Sequence, residues 1–177
     1  MAALAKREIE RLFSLLNDEL RAIDVKGELY LVGGAVMCLA FGARESTRDV
    51  DAYFKPTRSI REAAARAGVR AGVGEDWLSD AVKAYLSETG SFSRFLTLSH
   101  LVIFCANADY LLAMKCLAMR IGEEFQDLED VRYLLRHLGL RDYAQALDVV
   151  TRYYPLERFP QKTLYALEEL LGPSPRS

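Results

Sequence analysis

The fold is read from the run Leu31-Val32-Gly33-Gly34-Ala35-Val36-Met37-Cys38-Leu39-Ala40-Phe41-Gly42-Ala43-Arg44-Glu45-Ser46-Thr47-Arg48-Asp49-Val50-Asp51. The chain enters it through Glu28-Leu29-Tyr30, so residues 28–32 form a short apolar strand that breaks at two glycines. Residues 35–41 continue as a helix of small residues, stopped by Gly42. Residues 43–48 are a polar loop, and residues 49–54 alternate as a strand does. A strand, a Gly-Gly turn, a helix, a loop and a second strand therefore follow one another within 30 residues or so.

The pair Asp49 and Asp51 carries the chemistry. Positions two apart on a strand point the same way, about 6.5 Å apart, while Val50 and Ala52 turn into the core. Two like charges so placed repel unless a cation joins them. Oxygen-only ligation suits Mg²⁺ or Mn²⁺, ions that take one or two carboxylates and complete their shell with water and substrate phosphates. The bare backbone at Gly33 and Gly34 is suited to an anion, and Arg44, Ser46, Thr47 and Arg48 are all phosphate partners by type. Each feature also has a plainer reading: a decorated strand end, tight packing of helix on strand, a solvated loop. Their co-occurrence on one unit argues for a site.

Working outward, residues 4–23 form an amphipathic helix with Ile9, Leu12, Phe13, Leu15, Leu16, Leu20 and Ile23 on one stripe. Residues 59–70 form another, closed by Gly72 and Gly74, and residues 79–86 a short helical stretch. Residues 92–98 and 101–105 read as two strands joined at Ser99-His100, and neither contains an acid. Beyond Asn107 the pattern is helical throughout, over 109–120, 125–138, 143–153 and 163–171. The fold class is α+β: a small mixed sheet flanked by helices over residues 1–106, then a helical subdomain over 107–177 that completes a cleft.

Composition bounds the function. The 177 residues suffice for one domain with a helical extension, and no apolar run approaches the roughly 18 residues of a membrane span. The N-terminus leads straight into charge, with no secretory h-region, so no membrane partner and a cytoplasmic setting are expected. A net charge of −2 argues against simple electrostatic nucleic-acid binding, although 17 Arg against 6 Lys suits phosphate recognition. Cys38, Cys105 and Cys116 lie among apolar residues, and with His100 and His137 they offer neither a zinc set nor a disulfide framework. Trp77 and Tyr153-Tyr154 read as core anchors.

In the helix Tyr110–Met119, apolar nearly all round, stands Lys115. A buried ammonium needs a partner. Asp127 and Asp130, three apart on one helix face, are placed to supply it.

The run from Leu31 to Asp51 resembles the signature of the DNA polymerase beta-like nucleotidyltransferase superfamily, in which a Gly-Gly or Gly-Ser turn precedes an Arg-x-x-Thr-(Lys/Arg)-Asp-x-Asp strand. More narrowly it is similar to the AbiEii-type toxin nucleotidyltransferases, whose pattern of a helix lysine followed by an aspartate-bearing helix is matched by Leu112–Arg120 and Asp127–Asp130. The resemblance implies the nucleotidyltransferase fold, with Gly33, Gly34, Arg44, Thr47, Arg48 and Lys115 binding the nucleotide and Asp49 and Asp51 holding the metal. It implies that Asp127, and less directly Asp130, acts as base or orients the acceptor. Three departures stand out: Ala35 replaces the serine many members carry after the glycines, Gln126 replaces a lysine, and the third metal carboxylate of the superfamily polymerases is missing from residues 92–105.

The implied activity is Mg²⁺-dependent (or Mn²⁺-dependent) transfer of an NMP from an NTP to an acceptor, a tRNA 3′ end or a protein hydroxyl. The implied setting is a toxin–antitoxin pair with a cognate antitoxin as partner. The departures support a second reading, a degenerate homologue that binds a nucleotide or a partner without turnover. A small-molecule transferase keeps the chemistry and changes only the acceptor.

Overall fold

The computed structural model of the chain describes residues 2–120, 122 and 126–172. Its sheet grows outward from β2 (Gly27–Val32), which runs antiparallel to β4 (Val50–Lys55) and parallel to β7 (Leu101–Ala106). β5 (Leu78–Ser79) adds in parallel to β4, and β6 (Phe92–Thr97) pairs antiparallel with β7, giving the order β5-β4-β2-β7-β6. Alternation sets the two faces. Leu29, Leu31, Val50, Ala52, Phe54, Leu101 and Ile103 are buried, while Glu28, Tyr30, Asp51, Tyr53, Val102 and Phe104 stay partly exposed. The buried face packs on α1 (Lys6–Ala22) and α3 (Thr57–Ala71), close enough that a Cβ on Gly27 would meet Ile60 and Leu20 at 2.9 and 3.1 Å. This is the expected α+β architecture, a mixed sheet flanked by helices.

Most of the apolar stripe of α1 is buried, with Ile9, Leu12, Phe13, Leu16 and Leu20 sealed from solvent, whereas Leu15 is partly exposed and Ile23, past the helix end at Ala22, is exposed. Asn17, on the same face, is buried too: its Oδ1 accepts the His100 backbone N–H at 2.8 Å and its Nδ2 donates to Ser99 Oγ at 3.2 Å. The turn between β6 and β7 is thereby tied to α1. Trp77 anchors α3, donating its indole N–H to the Ala64 carbonyl at 2.7 Å beside the Phe13 ring.

Several boundaries differ from the sequence reading. Leu4 and Ala5 are not helical but form β1 (Leu4–Ala5), pairing antiparallel with β3 (Ser46–Thr47) inside what reads as a loop. Mutual pairing satisfies backbone groups that a loop would leave to water, and the Glu8 carboxylate takes the Ala5 N–H at 2.7 Å, so α1 starts at Lys6. The two glycines open α2 (Gly33–Leu39) rather than precede it. Asp49 lies in a bend just before β4. Leu78 and Ser79 join the sheet because the outer edge of β4 offers free backbone groups, and Val50 N–H donates to Trp77 O at 2.8 Å. The helix expected over 79–86 reduces to a 3₁₀ turn at Ala81–Tyr85.

By compactness the chain divides into two units, one of Met1–Ala84 with Phe92–Ala106 and one of Tyr85–Ser91 with Asn107–Ser177. The second contains α4 (Ala108–Leu117), α5 (Asp127–His137), α6 (Tyr143–Val150) and α7 (Gln161–Leu171). Phe125, where the α5 pattern begins in sequence, lies outside the described residues. The pattern over 143–153 ends early because Tyr153 and Tyr154 turn inward: Tyr153 OH donates to Asp109 Oδ2 at 2.5 Å, and Tyr154 OH to the Tyr85 carbonyl. Tyr85–Ser91 is held in this unit by Ser87, whose N–H donates to Tyr110 OH at 2.9 Å and whose Oγ donates to Tyr153 O at 2.6 Å. Among the described residues no helix is long and apolar enough to cross a membrane.

Candidate functional site

In the first unit three separate segments meet at the end of β2. Gly33 has φ +67°, a left-handed conformation that side chains rarely adopt, and a Cβ there would stand 3.1 Å from Asp51 Oδ2. At Gly34 a Cβ would stand 2.6 Å from Thr47 Oγ1 and 2.7 Å from Arg44 Nη1. Both glycines are therefore required by close approach, and the approaching groups are the carboxylate, hydroxyl and guanidinium the sequence singles out. The register places Asp51 directly opposite Val32, the last residue before the turn. Thr47 is buried, its Oγ1 donating to the Asp49 carbonyl at 3.2 Å. The intervening loop is tied back by Ala43 N–H to Met37 O at 2.9 Å and Cys38 Sγ to Glu45 O at 3.7 Å. Burial pushes the Cys38 thiol up from its ordinary value, so it serves as a packed neutral group.

Gly33, Gly34, Arg44, Thr47 and Asp51 are thus brought together, with Asp49 two residues from Asp51. Arg48 is exposed beside them. Asp49 is half-buried, and among the described residues its carboxylate has no hydrogen-bond or ion-pair partner. The donor chemistry fits a hard cation such as Mg²⁺: oxygen atoms only, from two carboxylates, with Gly33 letting the turn backbone approach Asp51 closely. Among the described residues no group of three or more His, Cys, Asp or Glu suited to a metal is found. The strand beside Asp51 is β5, and Ser79, not an acid, stands opposite it. Asp80 follows, but Arg61 at 2.5 Å and Lys83 at 3.1 Å engage its carboxylate, and Lys83 and Arg61 together hold it below the usual carboxylate range against the effect of burial.

The second unit holds the other sequence-predicted residues. Lys115 reaches Asp130 Oδ2 at 2.7 Å and Asp127 Oδ1 at 3.3 Å across the α4–α5 hairpin, as the i, i+3 spacing of the acids requires. All three side chains are nearly closed to solvent, at 10, 5 and 3% exposure for Lys115, Asp127 and Asp130. Asp127 Oδ2 also accepts from Arg120, the backbone N–H at 3.0 Å and Nε at 2.9 Å. Burial pushes the Asp127 carboxyl up, but the Arg120 hydrogen bonds and the Lys115 charge outweigh it and hold the group below its ordinary value. A carboxylate with three donors is a weak proton acceptor, so this arrangement positions Lys115 and Arg120 better than it serves a base.

The sequence reading left Arg120 without a role and passed over β5. It also passed over Tyr30, Tyr53 and Phe104, aromatic residues at outward positions of three strands that one register line joins. Their signal was present in the alternation, as large rings where polar residues are usual. Compared with protein-family models, with curated proteins and with solved structures, the chain matches none.

Proposed function

We propose that the chain is a nucleotidyltransferase of the polymerase beta-like kind, transferring an NMP from an NTP to an acceptor hydroxyl. The observation that carries this reading is the meeting of Gly33, Gly34, Arg44, Thr47 and Asp51 at one sheet end, with Asp49 alongside. In it, the acceptor hydroxyl oxygen attacks the α-phosphorus and gives up its proton to solvent water, a new O–P bond forms as the bond from the α-phosphorus to the α–β bridging oxygen breaks, and pyrophosphate leaves with that oxygen. Asp49 and Asp51 are the residues to hold Mg²⁺, which when bound supplies charge neutralisation on the phosphate oxygens. The Arg44 guanidinium binds and orients the phosphates, and Thr47, buried with its hydroxyl donating to the Asp49 carbonyl, holds the loop that packs against Gly34. Arg48 adds charge at the exposed rim. The resemblance gives Lys115 a triphosphate role; within its own unit Lys115 is closed in by Asp127 and Asp130, which makes Asp127 its positioning partner. A tRNA 3′ end or a protein hydroxyl as acceptor, and an antitoxin as partner, belong to the same reading.

One observation favours a second reading. Ser79 rather than an acid stands opposite Asp51, which suits nucleotide binding without turnover. Incubation with each α-³²P NTP, Mg²⁺ and total tRNA or cell lysate separates the two. Label on an RNA or protein band that disappears with Asp49→Asn and Asp51→Asn supports the transferase. Nucleotide binding without label transfer supports the binder.

A further inference from the structure

Across the exposed face of the sheet runs a row of side chains in register: Tyr53 on β4, Tyr30 on β2, Phe104 on β7 and Arg94 on β6. Tyr30 and Phe104 are stacked, with centroids 4.7 Å apart and planes 6° from parallel. Tyr53 lies 5.9 Å from Tyr30 on its other side. At the Phe104 end the column is closed by Arg94, whose guanidinium carbon sits 5.9 Å from the ring centroid. Tyr30 is fixed further by its hydroxyl bond to Glu28 Oε2 at 2.9 Å, by Lys55 Nζ 5.6 Å from its ring centroid, and by Phe92 packed edge-on at 5.3 Å.

The Tyr53 end is different. Among the described residues Tyr30 is the one aromatic ring paired with it, its hydroxyl has no hydrogen-bond partner, and the pairing of β4 with β5 stops at Asp51 and Ser79. Tyr53 stays half-exposed, on the same side of the strand as Asp51 and one alternation from it, about 6.5 Å along the chain. A ribose spans such an interval. The row is thus a stacked Tyr30–Phe104 pair capped by Arg94 at one end and, at the end nearest the carboxylates, by a Tyr53 ring tilted 41° to Tyr30 and half-exposed.

We infer that Tyr53 is the nucleobase-binding residue of the chain, stacking on the base of the nucleotide whose phosphates lie at Asp49, Asp51 and Arg44. The inference rests on the nucleotide reading proposed above and adds where the base goes and how it is read. A ring face with no hydrogen-bonding group aimed at the base edge holds any base by its π-surface, so purines, with the larger face, bind more tightly than pyrimidines. The Tyr53 hydroxyl is dispensable, because the ring makes the contact.

The test compares ATP, GTP, CTP, UTP and tripolyphosphate in the presence of Mg²⁺ by titration calorimetry, on the full chain and on Tyr53→Ala, Tyr53→Phe and Tyr53→Trp. The expected result is tighter binding of every NTP than of tripolyphosphate by the native chain. Tyr53→Ala should weaken NTP binding about tenfold and leave tripolyphosphate within twofold, which also certifies that the variant is folded. Tyr53→Phe should bind as the native chain does, and Tyr53→Trp at least as tightly. Equal affinity of NTPs and tripolyphosphate for the native chain, or a loss in Tyr53→Ala shared by both ligands or by neither, overturns the base site while leaving the phosphate site standing. Binding of neither ligand by the native chain overturns both readings.

Discussion

Asp49 and Asp51 sit half-exposed at a sheet end, beside a glycine turn that Asp51 approaches closely, whereas Asp127 and Asp130 are buried under one ammonium and a guanidinium. Both are pairs of nearby carboxylates, yet they solve like-charge repulsion differently. The helical pair is neutralised within the protein: Lys115 contacts both acids, and Arg120 adds two donors to Asp127. The strand pair leaves at least the Asp49 carboxylate with no protein partner among the described residues. A cluster saturated from inside contributes to fold, and one that is incomplete has capacity for a ligand. The contrast predicts that substitutions in the helical cluster act on stability, and those in the strand cluster on ligand binding.

The largest effect is expected from Lys115→Met. It leaves two carboxylates buried without their ammonium, a change that typically costs about 3–5 kcal/mol. Urea unfolding at pH 7 should show a midpoint far below that of the native chain; an unchanged midpoint would mean the cluster is not the closed one described. Loss of activity in any Lys115 variant therefore has to be read against its stability. Next comes Gly34→Ala, whose methyl would have to displace Thr47 Oγ1 and Arg44 Nη1 from 2.6 and 2.7 Å. Overpacking of this kind costs about 1–3 kcal/mol. The same displacement moves Arg44, the proposed phosphate ligand, so tripolyphosphate affinity should fall at least about tenfold, the equivalent of 1.4 kcal/mol. Melting and titration on one sample read both.

How much of this was legible in the sequence follows from the range of the interactions involved. Periodicity located the six-residue strands β2, β4, β6 and β7 and most helices, because alternation and the 3.6-residue stripe are local properties. The buried partners of Lys115 were also legible, since Asp127 and Asp130 share a face whatever the tertiary fold. What escaped was decided by pairing between distant segments. Nothing local in Leu4-Ala5 or Leu78-Ser79 marks a strand of two residues; each is extended because another segment presents backbone groups to it. The outer position of β5 puts Ser79, and not residues 92–105, beside Asp51, since β6 and β7 lie beyond β2. The Tyr53–Tyr30–Phe104 row needed the register of three strands, one of them 50 residues or more away in sequence.

Acid sharpens the contrast between the clusters at a smaller scale. The folded Asp127 carboxyl is held below its ordinary value, chiefly against burial, by Arg120 and Lys115. A group depressed in the folded state binds fewer protons there than in the unfolded chain, so its contribution is present above the unfolded value of about 3.9 and is lost as pH falls through the folded one. Glu19, whose hydrogen bonds to Arg66 and Arg70 lower it, acts in the same sense on the α1–α3 contact. The urea midpoint should therefore fall between pH 5 and pH 3, and Asp127→Asn, though less stable at pH 7, should show a shallower fall. Equal slopes in the two proteins would assign the acid sensitivity to other groups.

The smallest effect on stability, and the most informative, is expected at Asp49. Replacing it with Asn removes a charge that has no partner among the described residues and stands two residues from Asp51, without changing the shape of the side chain. Surface changes of this kind alter stability by less than about 0.5 kcal/mol, and relief of repulsion from Asp51 gives the change a stabilising component. If the carboxylate holds Mg²⁺, the same substitution removes a metal ligand, so label transfer and the Mg²⁺ dependence of NTP binding should be lost from a protein that melts as the native one does. A ligand-binding residue is distinguished from a structural one by that separation, function lost with stability kept. Unchanged Mg²⁺-dependent binding in Asp49→Asn would remove the metal role from this position and leave Asp51 as the carboxylate on which the proposed chemistry depends.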